Sequence, residues 1–188
     1  MKNKTKAKKL IFGSIFICLV VLISISPVSA YTLNNLWWQY ENAAFTTDSS
    51  VPSSWSYSIT QSLSEWNDAD SDFYFYQLGG QNNKFLYDSL GSTTTTLATT
   101  KKWKYTDTSY LSRCEITFNS DKSWSTTGES TKFDVQSAAT HELGHCLSLG
   151  HSGVTDATMY DTMAKGETKK RTLHADDECG IIAIYGNA

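Results

Sequence analysis

The chain has 188 residues, with 16 Lys or Arg against 19 Asp or Glu, and five of the cations fall within the first nine positions. Residues 31–188 therefore carry a net charge of about −8, which argues against nucleic acid or an anionic membrane surface as partner. Their length suits one domain around one core, and no repeat, charge block or Pro-rich linker divides them.

Lys2, Lys4, Lys6, Lys8 and Lys9 form a cationic start, and residues 10–25 form an apolar run. At about 16 residues this run is shorter than the ~20 a spanning helix needs. Val28-Ser29-Ala30 offers small residues at the positions a signal peptidase reads. The pattern predicts a signal peptide over 1–30, cleavage after Ala30, and a secreted protein without stable membrane association. Cys18 falls inside the apolar run. In an oxidising compartment the remaining Cys114, Cys146 and Cys179 predict one disulfide and one odd thiol.

Residues 36–45 read as an aromatic first strand. Ser53 or Ser54 is placed to cap a helix in which Trp55, Ile59, Leu63 and Trp66 recur at three and four residues, ending near Asn67. Phe73–Leu78 reads as a second strand. The threonine-rich segment Ser92–Thr100 reads as a strand because its side chains are β-branched. Cys114, Ile116 and Phe118 alternate with Glu115 and Thr117, the pattern of a half-buried strand. Asp134 caps a second helix carrying Val135, Ala138, Ala139 and Leu143. A last helix spans about Ala175–Tyr185, with Asp176, Asp177 and Glu178 in its first turn, where they complement the helix dipole. The order predicts an α+β domain with a twisted mixed sheet.

The segment Thr140-His141-Glu142-Leu143-Gly144-His145-Cys146-Leu147-Ser148-Leu149-Gly150-His151 carries the chemistry. On a helix, His141 and His145 lie about 6 Å apart along the axis and roughly 40° apart in rotation, so both imidazoles can hold one cation. A continued helix would turn His151 away by about 240°. His151 joins the pair only if the chain breaks after Leu147, in the stretch that contains Ser148 and Gly150. Three neutral imidazoles with one open position make a catalytic rather than a closed structural zinc site. Glu142 follows the first ligand, so its carboxylate stands beside the cation, where it can take a proton from attacking water and return it to a leaving amine.

These residues resemble the metzincins, and within them the matrixins, whose motif reads His-Glu-x-x-His-x-x-Gly-x-x-His with a methionine turn downstream. Met159, in Asp156-Ala157-Thr158-Met159-Tyr160, stands at the family distance from His151, with Met163 as competitor. Leu173–Gly186 resembles the family's C-terminal helix. Leu97–Thr100 resembles the sheet-edge strand that pairs with an extended substrate, and Glu115–Asn119 the strand after it. The similarity is clear over residues 97–186 and weak over 53–78. It implies a matrixin-like catalytic domain over 31–188 with one catalytic zinc: a monomeric, secreted zinc metalloendopeptidase acting on extended protein or peptide segments.

Departures from the family stand out. Ser148 replaces the motif's glycine. His174 is the only histidine outside the motif, which leaves no set for a second zinc. Calcium is compatible with Asn119-Ser120-Asp121-Lys122 but gets no support from so thin an acidic cluster. No cysteine stands between residue 31 and Cys114, so the family's latency through an upstream cysteine is not expected. By the resemblance the final helix packs near the zinc-binding helix, which favours a Cys146–Cys179 disulfide and a buried Cys114 thiol, with Cys114 as the competing partner. A cavity beyond Met159 would be walled by Tyr160–Ala164 and closed by the stretch with Lys165, Lys169, Lys170 and Arg171, whose cations read as a solvated loop. The alternatives are a metal-bound but catalytically silent binding module on the same fold, which would not need Glu142, and a thermolysin-like site drawing on Glu167 or Glu178, against which His151 speaks.

Overall fold

The aromatic run at 36–45 is two strands, not one, in the computed structural model, which describes residues 31–186; the expected signal segment lies outside that range. The break falls at Gln39-Tyr40-Glu41, where three successive exposed side chains leave no buried face to continue. The strands in chain order are β1 (Trp37–Trp38), β2 (Asn42–Thr47), β3 (Tyr74–Gln77), β4 (Asn83–Asp88), β5 (Ala98–Lys104), β6 (Tyr110–Asn119), β7 (Trp124–Ser125) and β8 (Phe133–Asp134). The helices are α1 (Ser56–Asn67), α2 (Val135–Cys146) and α3 (Ala175–Tyr185).

The main sheet runs β1-β6-β4-β2-β3, all parallel, and β5 adds to the other side of β6 as an antiparallel edge. The mixed α+β architecture expected from the sequence is therefore present. β4 has no counterpart in the sequence reading, because in Asn83-Lys84-Phe85-Leu86-Tyr87-Asp88 only Phe85 is fully buried and the alternation is faint. β5 begins at Ala98 rather than Ser92. Before it, Thr94 Oγ1 accepts from Thr96 N–H (3.1 Å), a local bond that competes with a ladder. That loop is held from the far side. Asp121 Oδ2 accepts from Ser89 Oγ (2.6 Å) and Gly91 N–H (3.1 Å), and Lys122 Nζ donates to Thr94 O (2.5 Å).

α1 starts after a 3₁₀ turn at Ser53–Trp55 and has no side-chain cap, so neither serine acts as the expected N-cap. Its apolar stripe Ile59, Leu63 and Trp66 is buried, and Trp66 Nε1 donates to Thr140 O (2.8 Å), tying α1 to α2. Phe45, Phe75, Phe85, Ile116 and Phe118 from the sheet join Leu143 of α2 in one core. Asp134 caps α2 as expected, accepting from Ser137 N–H at 2.9 Å. α3 matches its expected span and opens with a capping box formed by His174 and Asp177. Among the described residues no helix is long and apolar enough to cross a membrane.

The disulfide joins Cys114 and Cys146, which corrects the expected Cys146–Cys179 pairing; Cys179 is free and exposed. Cys114 points to the same side of β6 as Ile116 and Phe118, and α2 packs across that side. Cys146 therefore meets the sheet rather than α3, with a Cα–Cα separation of 5.9 Å. Both cysteines are fully buried.

Candidate metal centre

α2 ends one residue after His145, and the way it ends places His151. Leu149 N–H donates to Gly144 O (2.9 Å) and Ser148 N–H to His145 O (3.0 Å), the paired bonds of a Schellman motif. Ser148 is the left-handed residue of that motif, with φ 74°. This is the bend predicted between Leu147 and His151, and it falls at the position where the family motif has glycine. Side chains add to this cap: Lys102 Nζ also donates to His145 O (2.8 Å), and Trp38 Nε1 donates to Cys146 O (3.0 Å). Burial holds the Lys102 ammonium below the usual lysine range. Past the bend, Leu149 bridges antiparallel to Leu33, and Thr32 Oγ1 donates to His151 O at 3.2 Å.

The three imidazoles converge, with one potential ligand atom from each of His141, His145 and His151 lying within 4.8 Å of the others. His141 Nδ1 stands 2.7 Å from Thr158 O, and His145 Nδ1 stands 2.8 Å from Leu149 O. A carbonyl can only accept, so both Nδ1 atoms carry the proton and both Nε2 lone pairs are free. Burial lowers the pKa of His141 well below the ordinary histidine value and that of His145 to about 4, and the neighbouring positive groups add to both shifts. Neutral rings with fixed tautomers are what a divalent ion requires, so this donor set fits zinc.

Glu142 is 7% exposed and sits beside the triad. Burial raises its pKa to about 7, opposed by a hydrogen bond from Thr100 and by the charge of Lys170. Thr100 Oγ1, on edge strand β5, lies 2.5 Å from Glu142 Oε2 and donates to it. Met159 is fully buried under α2, where a Cβ added at Gly144 would collide with its Sδ and stand 2.9 Å from Trp66 Cζ2. Met163, the competing methionine, instead lines the open cleft. The turn at Met159 is fixed by Asp177 of α3, whose oxygens accept from Thr158 N–H (2.8 Å), Met159 N–H (2.9 Å) and His174 N–H (2.9 Å). Since Thr158 O accepts from His141, α3 orients a metal-facing ring through this turn.

A cleft of about 650 Å³ runs past the triad. It is lined by Thr95–Leu97 just before β5, by Ala98–Thr100 of β5, and by Asp161, Thr162 and Met163. The outer edge of β5 is unpaired among the described residues. Sequence reasoning missed Thr100 as a side chain, and also Lys102, Trp38, Asp177 and the burial of Lys170. Each acts through a fold-dependent contact, and the only hint in the sequence was that Thr100 closes the segment read as the substrate-side edge.

The family model for matrixin matches residues 38–186. Among curated proteins, metalloendoproteinase 4-MMP of Arabidopsis thaliana is 44% identical over 71 residues, 38% of this chain and 19% of that protein. Human matrilysin is 44% identical over 69 residues, 37% of this chain and 26% of its own length, and metalloendoproteinase 1 of Glycine max is 41% identical over 80 residues, 39% and 25%. The matched segments thus span about a quarter or less of these relatives. A match over most of the chain, together with the converging His141, His145 and His151 above the buried Met159, places this chain in the matrixin family.

Proposed function

We propose that the chain is a secreted zinc-dependent endopeptidase that hydrolyses extended protein or peptide segments. The observation that carries this reading is the neutral, convergent imidazole set with Glu142 beside it at the base of an open cleft. His141, His145 and His151 would hold the ion, with Nδ1–H bonds to Thr158 and Leu149 fixing two of the rings. Zinc, when bound there, supplies Lewis-acid polarisation of the scissile carbonyl and of the attacking water.

The remaining steps belong to the protein. The unpaired edge of β5 offers backbone donors and acceptors to an extended segment, so substrate adds to the sheet as a further strand and its peptide bond is laid across the triad. Glu142 takes a proton from the attacking water at a carboxylate oxygen and delivers it to the departing amine nitrogen. Thr100 holds that carboxylate by one oxygen, leaving the other for the proton. Residues 1–30 would direct export and be removed after Ala30, which fits a disulfide formed in an oxidising compartment.

The test is cleavage of an unbiased peptide library by the purified protein, with and without a zinc chelator. Cleavage that is lost on chelation and regained with zinc is expected. Cleavage indifferent to the chelator, or a zinc-replete protein that cuts nothing, would contradict the reading.

A further inference from the structure

The cations of the stretch 165–171 do not behave alike, and one is almost entirely buried. Lys165 Nζ lies 5.7 Å from the centre of the Phe133 ring. Lys169 pairs with Asp156 (3.6 Å) and Glu167 (3.9 Å). Arg171 grips the capping carboxylate of α2, with Nε donating to Asp134 Oδ1 (3.0 Å) and Nη2 to Asp134 Oδ2 (2.6 Å). Between them, in the 3₁₀ turn Lys169–Arg171, Lys170 is only 2% exposed and lines the cleft with His141, Glu142 and Met163. The expectation of a solvated loop fails here because the flanking cations are anchored outside and turn Lys170 inward.

The Lys170 ammonium donates to Tyr160 O and forms no ion pair with a carboxylate among the described residues. An ammonium has three N–H donors. Burial draws its pKa down to about 8, while Glu167, Asp177 and Asp161 favour the charged form through space. Lys170 is thus a largely desolvated cation with donors to spare, facing the cleft through which substrate would pass. A carboxylate arriving there replaces water with charge-assisted hydrogen bonds. An apolar side chain would displace the same water and leave the ammonium short of acceptors, the situation in which a polar site discriminates most strongly.

We propose that Lys170 makes the cleft selective for an acidic side chain, Glu or Asp, on a residue flanking the scissile bond. This rests on the endopeptidase reading above. The experiment uses one peptide scaffold carrying Glu, Gln, Leu or Lys at each flanking position, with kcat/KM measured for the zinc-loaded protein and for Lys170→Met. At one position Glu should exceed Gln by at least about 10-fold. Lys170→Met should abolish that preference in favour of Leu at unchanged zinc content. Gln or Leu matching Glu with the wild-type protein would overturn the assignment, whatever the stability of the variant. Retention of the Glu preference in a folded Lys170→Met would do so as well.

Fluorescence anisotropy with the same peptides and zinc-loaded Glu142→Ala, with and without Lys170→Met, separates the two claims. If no peptide is cleaved but Glu peptides bind tighter in a Lys170-dependent way, the endopeptidase reading falls and the acidic subsite stands. Equal binding of all four peptides would overturn the subsite.

Discussion

The hydroxyl of Thr100 reaches Glu142 from the sheet, so the proposed base is oriented by an element other than the helix that carries it. Thr100→Val keeps the β-branched shape and removes the donor. A hydrogen bond to a charged group is worth about 1.5–3 kcal/mol, so kcat should fall roughly 10- to 100-fold with KM and zinc content little changed, and Thr100→Ser should restore most of it. Undiminished kcat in Thr100→Val would remove Thr100 from the positioning of Glu142. Ser148 is a second residue whose role is set by backbone geometry. Its φ of 74° is strained for a side chain, and its hydroxyl is buried with no hydrogen-bond partner. Ser148→Gly relieves both, and thermal unfolding should register about 1 kcal/mol of added stability with zinc binding intact. A lower melting temperature would mean that the packing of the serine outweighs the strain.

At the scale of elements, α2 is held to the sheet at its C-terminal end by three devices: the Cys114–Cys146 bridge, the Lys102 bond to His145 O and the Trp38 bond to Cys146 O. All act within one residue of a proposed ligand. The bridge spans a sequence separation of 32, which the chain-entropy estimate converts to about 3–4 kcal/mol. Replacing both cysteines by Ala should therefore lower the unfolding free energy by about that amount in denaturant titration and speed the loss of zinc to a chelator. Unchanged stability and zinc retention would show that the helix is positioned by packing alone. Peptide mapping without reductant checks the pairing itself, and a crosslinked peptide containing Cys179 would contradict it.

Over the whole molecule, local signals were legible and distant ones were not. Asp134 as a cap, the paired histidines one turn apart, the bend that returns His151 and the span of α3 all follow from short-range spacing. The buried Met159 was legible only through likeness to a family. The disulfide misread shows the limit: choosing between Cys114 and Cys179 needs to know which face of α2 meets the sheet, and one residue's periodicity does not say. Lys170 looked like its neighbours because a run of cations carries no mark of which one the fold turns inward. β4 escaped because a strand between two others needs little alternation of its own. The proposed chemistry turns on Glu142 moving the proton beside an ion held by His141, His145 and His151. Peptide turnover by Glu142→Ala at full zinc occupancy probes that step: unchanged zinc content with a loss of about 10³-fold or more is expected, and near-wild-type turnover in the zinc-replete variant would remove Glu142 from the reaction.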